Sequence, residues 1–373
     1  AAMNAQQLSQ VMGRKVTGVQ CCELCSLWAG YGSVKALSLS LQPQEGEPSK
    51  LQLVCKVVDP PQGSGVSHER KLRSYVVESE FYRSLSEPLR AAGVAVAEIF
   101  HLEATPTGKA VLLMTDLRLK YPVTCGMLSG GQLDAALDWL AAFHAFSWQQ
   151  PQRWGNLWPE GCYWRLDTRQ EELQQIPSEW QRLKNASQAI AELLREGTHG
   201  PLYRTVVHGD FKAPNLQFSN GASGVRCAAV DFQYCGGGYG ARDLAKLMVS
   251  ALDMGRMGRA DSGDAYLAVE RQILQAYHSK LLARLAGGAD GTGTSTSMGT
   301  STGASTYSLA QLQQHYELCL LDYVRFLQGW GLWGNTDYAE ARCLQLLDAV
   351  DGGRCLSAEE YRVALRARYA HPD

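Results

Sequence analysis

The sequence predicts an α+β protein in two unequal parts, a small strand-rich layer followed by a larger helical mass. Three observations carry this prediction. The first third holds short alternating apolar runs, helical periodicity sets in near residue 120, and 373 residues suffice to bury two cores. The composition, 45% hydrophobic and 19% charged, fits a soluble globular chain. A formal net charge of −2 argues for neither a nucleic-acid surface nor a solvating tail. No uncharged apolar run reaches membrane-span length, and "AAMNAQQLSQVMGRK" lacks the apolar centre of a signal peptide. The eleven scattered cysteines therefore read as reduced thiols, with the cytoplasm as the expected location.

In chain order, "KVTGVQCCEL", "SVKALSLSLQ" and "LQLVCKVV" read as strands separated by Gly and Pro signals. "SHERKLRSYVVESEFYRSLSEPL" reads as one helix ending near Pro88, and "VAEIFHLE" and "AVLLMTDL" add two strands. In "GQLDAALDWLAAFHAFSW", Leu133, Ala136, Leu137, Leu140 and Ala141 recur with a helical rhythm. Further helices are expected from about Ala265 to Leu285 and from Leu309 to Leu327. Residues 287–306, "GGADGTGTSTSMGTSTGAST", carry too little apolar mass to offset ordering entropy and are expected to be a disordered insertion.

Two partial motifs do not make metal sites. "CCELC" (Cys21, Cys22, Cys25) contains one CxxC with no second pair, in a strand-like context. Asp348, Gly353 and Glu359 fall on calcium-loop positions, but Val350 and Gly352 remove two oxygen ligands.

The chemistry concentrates in "VVHGDFKAPNLQF", residues 206–218. Asp210 precedes Asn215 by five residues, with Pro214 stiffening the loop between them, and Asp231 follows the apolar run "CAAV". A buried Asp has to be hydrated, paired or placed beside a metal. Asn215 and Asp231 offer hard oxygens suited to Mg²⁺ with phosphates completing its shell. That leaves Asp210 to accept or orient a hydroxyl proton in phosphoryl transfer. The plain structural alternative is a pair of Asx turns.

"HGDFKAPN" and "VDFQYCGGGYGARDLA" resemble the aminoglycoside phosphotransferase and choline kinase superfamily. The DFQ triplet, "ESEFY" and "LAAFHAFSW" resemble its ecdysteroid-kinase-like branch. The resemblance implies a protein-kinase-like bilobal fold binding ATP and Mg²⁺ between its lobes. The expected division is an N-lobe at 1–114, a hinge at 115–120 and a C-lobe at 121–373. Such a site needs a strand lysine held by a helical carboxylate. Lys56 lies inside an apolar strand, and Glu80 shares a helical face with Leu72 and Val76. By resemblance Lys56 contacts the phosphates and Glu80 positions it; the alternative is two snorkelling charges. In "WAGYGSVKAL", Gly30, Gly32 and Ser33 could bring backbone N–H groups to phosphate, or simply form a hairpin turn. Backbone groups from Met114 through Asp116 to Leu117 would meet adenine, with Thr115 where the family often has an acid. His208 would brace the catalytic loop, Asp243 would hydrogen-bond it from the next helix, and His144 reads as a core histidine. Trp148, Trp154, Trp158 and Trp164 could wall an acceptor site, although core packing is the preferred reading.

The function these residues predict is Mg·ATP-dependent phosphorylation of a small hydroxyl-bearing molecule, with neither nucleic acid nor membrane as partner. A protein kinase fits less well, because eleven residues between Asp231 and Asp243 leave little room for a peptide-binding segment. A non-catalytic scaffold of the same fold is the alternative of a different class. The acceptor stays open among sterol-like alcohols, amino alcohols, sugars and aminoglycosides.

Overall fold

The computed structural model describes residues 3–198, 202–221, 224–253, 263–287 and 307–370, and it has the expected α+β fold. Strands β1 (Val16–Ser26), β2 (Gly32–Leu41), β3 (Lys50–Val58), β4 (Ile99–Ala104) and β5 (Ala110–Thr115) form one antiparallel sheet in the order β1-β2-β3-β5-β4. Side chains alternate between its faces. Leu53 and Cys55 of β3 join a small core with Leu37, Leu39 and Leu113, while Lys56 and Val58 turn to the opposite face.

The small core is closed by helix α1 (Ala5–Met12), which the apolar pattern alone did not predict. Its eight residues start from a reciprocal cap between Asn4 and Gln7, and Leu8 is fully buried against the sheet. Helix α2 (Val66–Ser84) lies on the other face. The single helix expected through Pro88 is divided at Leu85, after which α3 (Ser86–Ala91) begins. The physical reason is Pro88 itself: inside a continuous helix its ring would strike the carbonyl of Ser84, whereas in a first turn its missing N–H costs nothing.

The helical part comprises α4 (Gly130–Phe146), α5 (Gln170–Gln174), α6 (Gln181–Glu196), α7 (Ala241–Ser250), α8 (Gly263–Gly287), α9 (Leu309–Trp330), α10 (Thr336–Asp351) and α11 (Ala358–Tyr369). The long helices expected near 265–285 and 309–327 are therefore α8 and α9. Apart from Gly287, the expected insertion at 287–306 lies outside the described residues. Two small antiparallel pairs frame the HGDxxxxN loop. Strand β6 (Arg204–Val207) pairs with β9 (Gly236–Tyr239), and β7 (Leu216–Phe218) pairs with β8 (Cys227–Ala229).

One aromatic core joins the two parts. Phe232, just past β8, stacks on Phe81 of α2 with ring centroids 3.7 Å apart, and Tyr82, Phe143 and His208 pack around the pair. Phe81 is fully buried. Phe81→Ala should therefore lower stability by about 3–5 kcal/mol, through lost transfer energy and the cavity left behind. Urea unfolding reads this directly, and a much smaller loss would show that the stack does not hold the parts together.

Candidate active site

The HGDxxxxN loop runs from the end of β6 to the start of β7 and is pinned by a buried carboxylate. Asp243, in the first turn of α7, is fully buried. Its Oδ2 accepts the N–H of His208 at 2.7 Å and its Oδ1 that of Gly209 at 2.9 Å. His144 Nε2 meets the same carboxylate at 3.1 Å, and its Nδ1 meets the Tyr277 hydroxyl at 2.7 Å, so His144 is a satisfied core histidine. His208 Nε2 donates to the Val230 carbonyl at 3.0 Å, and Nδ1 accepts the Asp210 N–H at 3.3 Å. The bond to Val230 ties the loop to the segment bearing Asp231. Gly209 adopts φ +81, and a Cβ there would fall 2.2 Å from the Tyr234 carbonyl oxygen, so no other residue fits the crossing.

Asp210 is only 4% exposed, so its charge needs compensation within the protein. On one side Lys212 Nζ lies 2.8 Å from Oδ2, and Asn215 Nδ2 donates to the Asp210 carbonyl at 2.9 Å and more weakly to Oδ2 at 3.3 Å. Burial pulls the Lys212 ammonium down, but Asp210 beside it more than reverses this and holds it above the ordinary lysine value. On the other side Oδ1 has no hydrogen bond among the described residues, and Lys246 Nζ stands 3.6 Å away. Lys246 is fully buried on α7, bonded at 2.9 Å to both the Tyr163 and Tyr323 hydroxyls and 3.8 Å over the Trp333 ring. Burial lowers its pKa to about 7, against the pull of Asp210. Neither lysine was singled out from the sequence; the signal for Lys246 is a lone charge within the apolar run "LAKLMV".

The second carboxylate sits at a strained turn. Asp231 has φ +71, unusual for a residue other than glycine, and its buried Oδ1 has no hydrogen bond among the described residues. Lys56 Nζ lies 3.9 Å from that oxygen. The partner of Lys56 is Glu78, not Glu80: the ammonium is 2.8 Å from Oε1 and 2.7 Å from Oε2 of Glu78. Glu80 lies about 200° further round the helix, where it pairs with Arg83. The expected face was misjudged because Leu72 and Val76 are only half-buried, whereas Ser74, Tyr75, Glu78 and Ser79 turn inward. Burial works against the Lys56 charge, but Glu78 and Asp231 more than offset it and raise its pKa above the ordinary value.

Two adjoining cavities meet at these groups. The first, about 410 Å³, lies under the sheet and is lined by residues 24–28 and 114–118 together with Lys56, Glu78, Asn215 and Asp231. Met114 and Asp116 are thus at this cavity, but the Asp116 carboxylate is occupied by Arg118 at 2.8 and 2.6 Å. Thr115 Oγ1 accepts the Glu98 N–H at 3.0 Å. Gly30, Gly32 and Ser33 do not line this cavity; its cover is the stretch from Leu24 to Trp28. Gly32 is needed for packing instead, since a Cβ there would fall 2.0 Å from the Val57 carbonyl oxygen, and Ser33 is paired in the ladder with Ser26 and Val57.

The second cavity, about 710 Å³, reaches Asp210 and Asp231 and is walled by Tyr163, Phe326, Trp330 and Trp333 with Arg70 and Arg169. The expected tryptophan cluster is mostly core: Trp148, Trp158 and Trp164 are buried and Trp154 is partly so. The wall comes from α9 and the segment after it. Helix α9 approaches α5 so closely that a Cβ on Gly329 would fall 1.9 Å from the Glu172 carbonyl oxygen. Glu172 in turn holds Arg169 at 2.8 Å.

The profile of the phosphotransferase enzyme family (APH) matches residues 66–285, more than half of the chain. The chain belongs to this family. It is a phosphotransferase. No curated protein matches it. Among solved structures, it is similar to the microcompartment-associated aminopropanol kinase at 15% identity and TM-score 0.47, covering 95% of this chain and 100% of that one. It is similar at 15% identity and TM-score 0.48 to amicoumacin kinase hAmiN in complex with AMP-PNP, Ca²⁺ and Ami, over 93% of this chain and 94% of that one. Choline kinase LicA from Streptococcus pneumoniae matches at 14% identity and TM-score 0.43, over 92% and 95% of the two chains.

Two predictions follow from the charges of this phosphotransferase. Glu78→Ala strands a buried ammonium and should cost about 3–5 kcal/mol, while Glu80→Ala should cost about 1 kcal/mol at most. Denaturant midpoints of the two variants test the assignment, and equal losses would reverse it. Lys246 has a folded pKa of about 7 against an ordinary value of 10.5, so above pH 7 the unfolded chain binds the extra proton. Stability measured relative to Lys246→Met should accordingly rise between pH 7 and 10, by at most about 1.4 kcal/mol per pH unit. A pH-independent difference would mean that Lys246 keeps its proton in the fold.

Proposed function

We propose that this phosphotransferase moves the γ-phosphate of ATP to a hydroxyl of a small molecule. One observation carries the reading: Asp210 lines the larger cavity with one oxygen fixed by Lys212 and Asn215, while the other, the buried Oδ1, has no hydrogen bond among the described residues. An acceptor hydroxyl that donates to Oδ1 is oriented by it and hands over its proton as the phosphoryl group arrives. Lys212 Nζ stands 2.8 Å from Oδ2 and Lys246 Nζ 3.6 Å from Oδ1, so the carboxylate is flanked by two lysine nitrogens.

In this reading the smaller cavity holds the nucleotide. Lys56, positioned by Glu78 rather than Glu80, meets the phosphates, and the backbone of Met114 to Leu117 meets the adenine edge. The Asn215 amide nitrogen is turned to Asp210, which leaves its oxygen free, and the buried Asp231 Oδ1 has no hydrogen bond. Those two hard oxygens suit Mg²⁺, which when bound would neutralise phosphate charge. Residues 1–114 then serve as the nucleotide lobe, 115–120 as the hinge and 121–373 as the catalytic and acceptor lobe. The short path from Asp231 to α7, part of it the buried strand β9, supports a small acceptor over a peptide. The DFQ triplet, "ESEFY" and "LAAFHAFSW" support the ecdysteroid-kinase-like branch. Eleven unpaired cysteines suit a reducing compartment and support a cytoplasmic location.

The test is ADP formation over pooled hydroxyl metabolites with Mg²⁺ and ATP. Turnover should depend on a particular pool, stop with EDTA, and fall by roughly 10²–10⁴ in Asp210→Asn. Turnover that survives in Asp210→Asn would overturn the role of that residue. An absence of turnover, joined to no rise in Tm on adding Mg·ATP, would leave a scaffold in place of a kinase.

A further inference from the structure

The end of the larger cavity away from Lys56 is cationic. Arg70, half-buried near the start of α2, donates from Nη1 to the Thr168 carbonyl at 2.6 Å, which holds its guanidinium next to Arg169. Burial and the charge of Arg169 both act against the Arg70 cation. Glu172 is taken by Arg169, and among the described residues no carboxylate lies within 4 Å of Arg70. Glu172 and Glu171 support the Arg70 cation only from beyond ion-pair distance, so Arg70 lines the cavity with no carboxylate bound to it among the described residues.

An amine acceptor would need the opposite arrangement, carboxylates or open aromatic faces. The faces here already carry the protein's own cations. Arg169 lies 5.0 Å from the Phe326 centroid and 5.3 Å from that of Trp330, and Lys246 lies 3.8 Å from that of Trp333. The carboxylates lining the cavity are Asp210 and Asp231, both engaged in phosphoryl transfer in the reading above.

We propose that the acceptor is an anionic hydroxy compound, a carboxylate on an apolar or aromatic body, whose anion meets Arg70 and whose body lies along Trp330. The proposal rests on the kinase reading of the same site. Trp330 is 54% exposed, so it offers apolar surface for such a body to cover.

The test compares two probes of equal length, 3-phenylpropanoate and 3-phenylpropylamine, titrated by ligand-observed NMR into the full chain with and without Mg·AMP-PNP. The acid should bind about tenfold more tightly than the amine, and Arg70→Gln should erase that advantage while Arg70→Lys retains part of it. Tighter binding of the amine, or binding of neither probe, would overturn the proposal. So would full acid affinity in Arg70→Gln. The acid–amine comparison on the unmodified chain stands even if a variant misfolds. Loss of the Mg·AMP-PNP shift in Tm sinks the kinase reading separately, since the probe titration without nucleotide is read independently.

Discussion

The site depends on keeping a nearly dry carboxylate charged. Water cannot do this for Asp210, which is almost wholly enclosed, and an uncompensated charge there would cost several kcal/mol. Helix α7 supplies much of the answer. Asp243 at its first turn holds the loop backbone, and three residues later Lys246 brings its Nζ to within 3.6 Å of the same loop's carboxylate. Every residue of α7 from Ala241 to Val249 is buried, so the helix is fixed by packing before it positions anything. The tyrosines that hold Lys246 come from elsewhere in the helical part, Tyr163 before α5 and Tyr323 on α9. The enclosing helices are thereby part of the site.

Three consecutive residues connect this centre to the sheet. Asp231 faces Lys56, Phe232 stacks on Phe81, and Gln233 accepts from Lys71 at 3.1 Å and Ser74 at 3.2 Å. Charge thus reaches β3, and ring stacking and hydrogen bonding reach α2, from one short turn. The positive φ of Asp231 belongs to this geometry, because it turns the chain sharply between β8 and the aromatic core. A change in how α2 sits under the sheet has to be felt at Asp231.

Much of this was legible in the sequence because it is local. HGDxxxxN is a loop between two short strands, and Asp210, Asn215 and Asp231 converge because those strands bring them together. The alternating strands of the sheet were equally plain. What escaped had no local pattern. Helix α2 buries Ser74, Glu78 and Ser79 as readily as apolar residues, so apolar spacing pointed to Glu80. Lys246 has its partners on distant segments, and much of the aromatic wall of the larger cavity lies more than a hundred residues past the motif, on α9 rather than among the earlier tryptophans. Gly32 resembled half of a phosphate loop, although its conformation is imposed by a strand carbonyl.

The contact between α9 and α5 also bears on how such a protein could diversify. Gly329 is the point where the helix backbone rests on the Glu172 carbonyl, and Glu172 fixes Arg169. That contact is linked to the loop that carries Asp210: Arg169 Nε donates to the Tyr163 carbonyl at 2.7 Å, and the Tyr163 hydroxyl holds Lys246. A single added methyl at Gly329 would press α5 away and shift Arg169, and through Tyr163 the displacement would reach Lys246 beside Asp210. Drift at this one glycine would therefore change the shape of the larger cavity and the surroundings of Asp210 together.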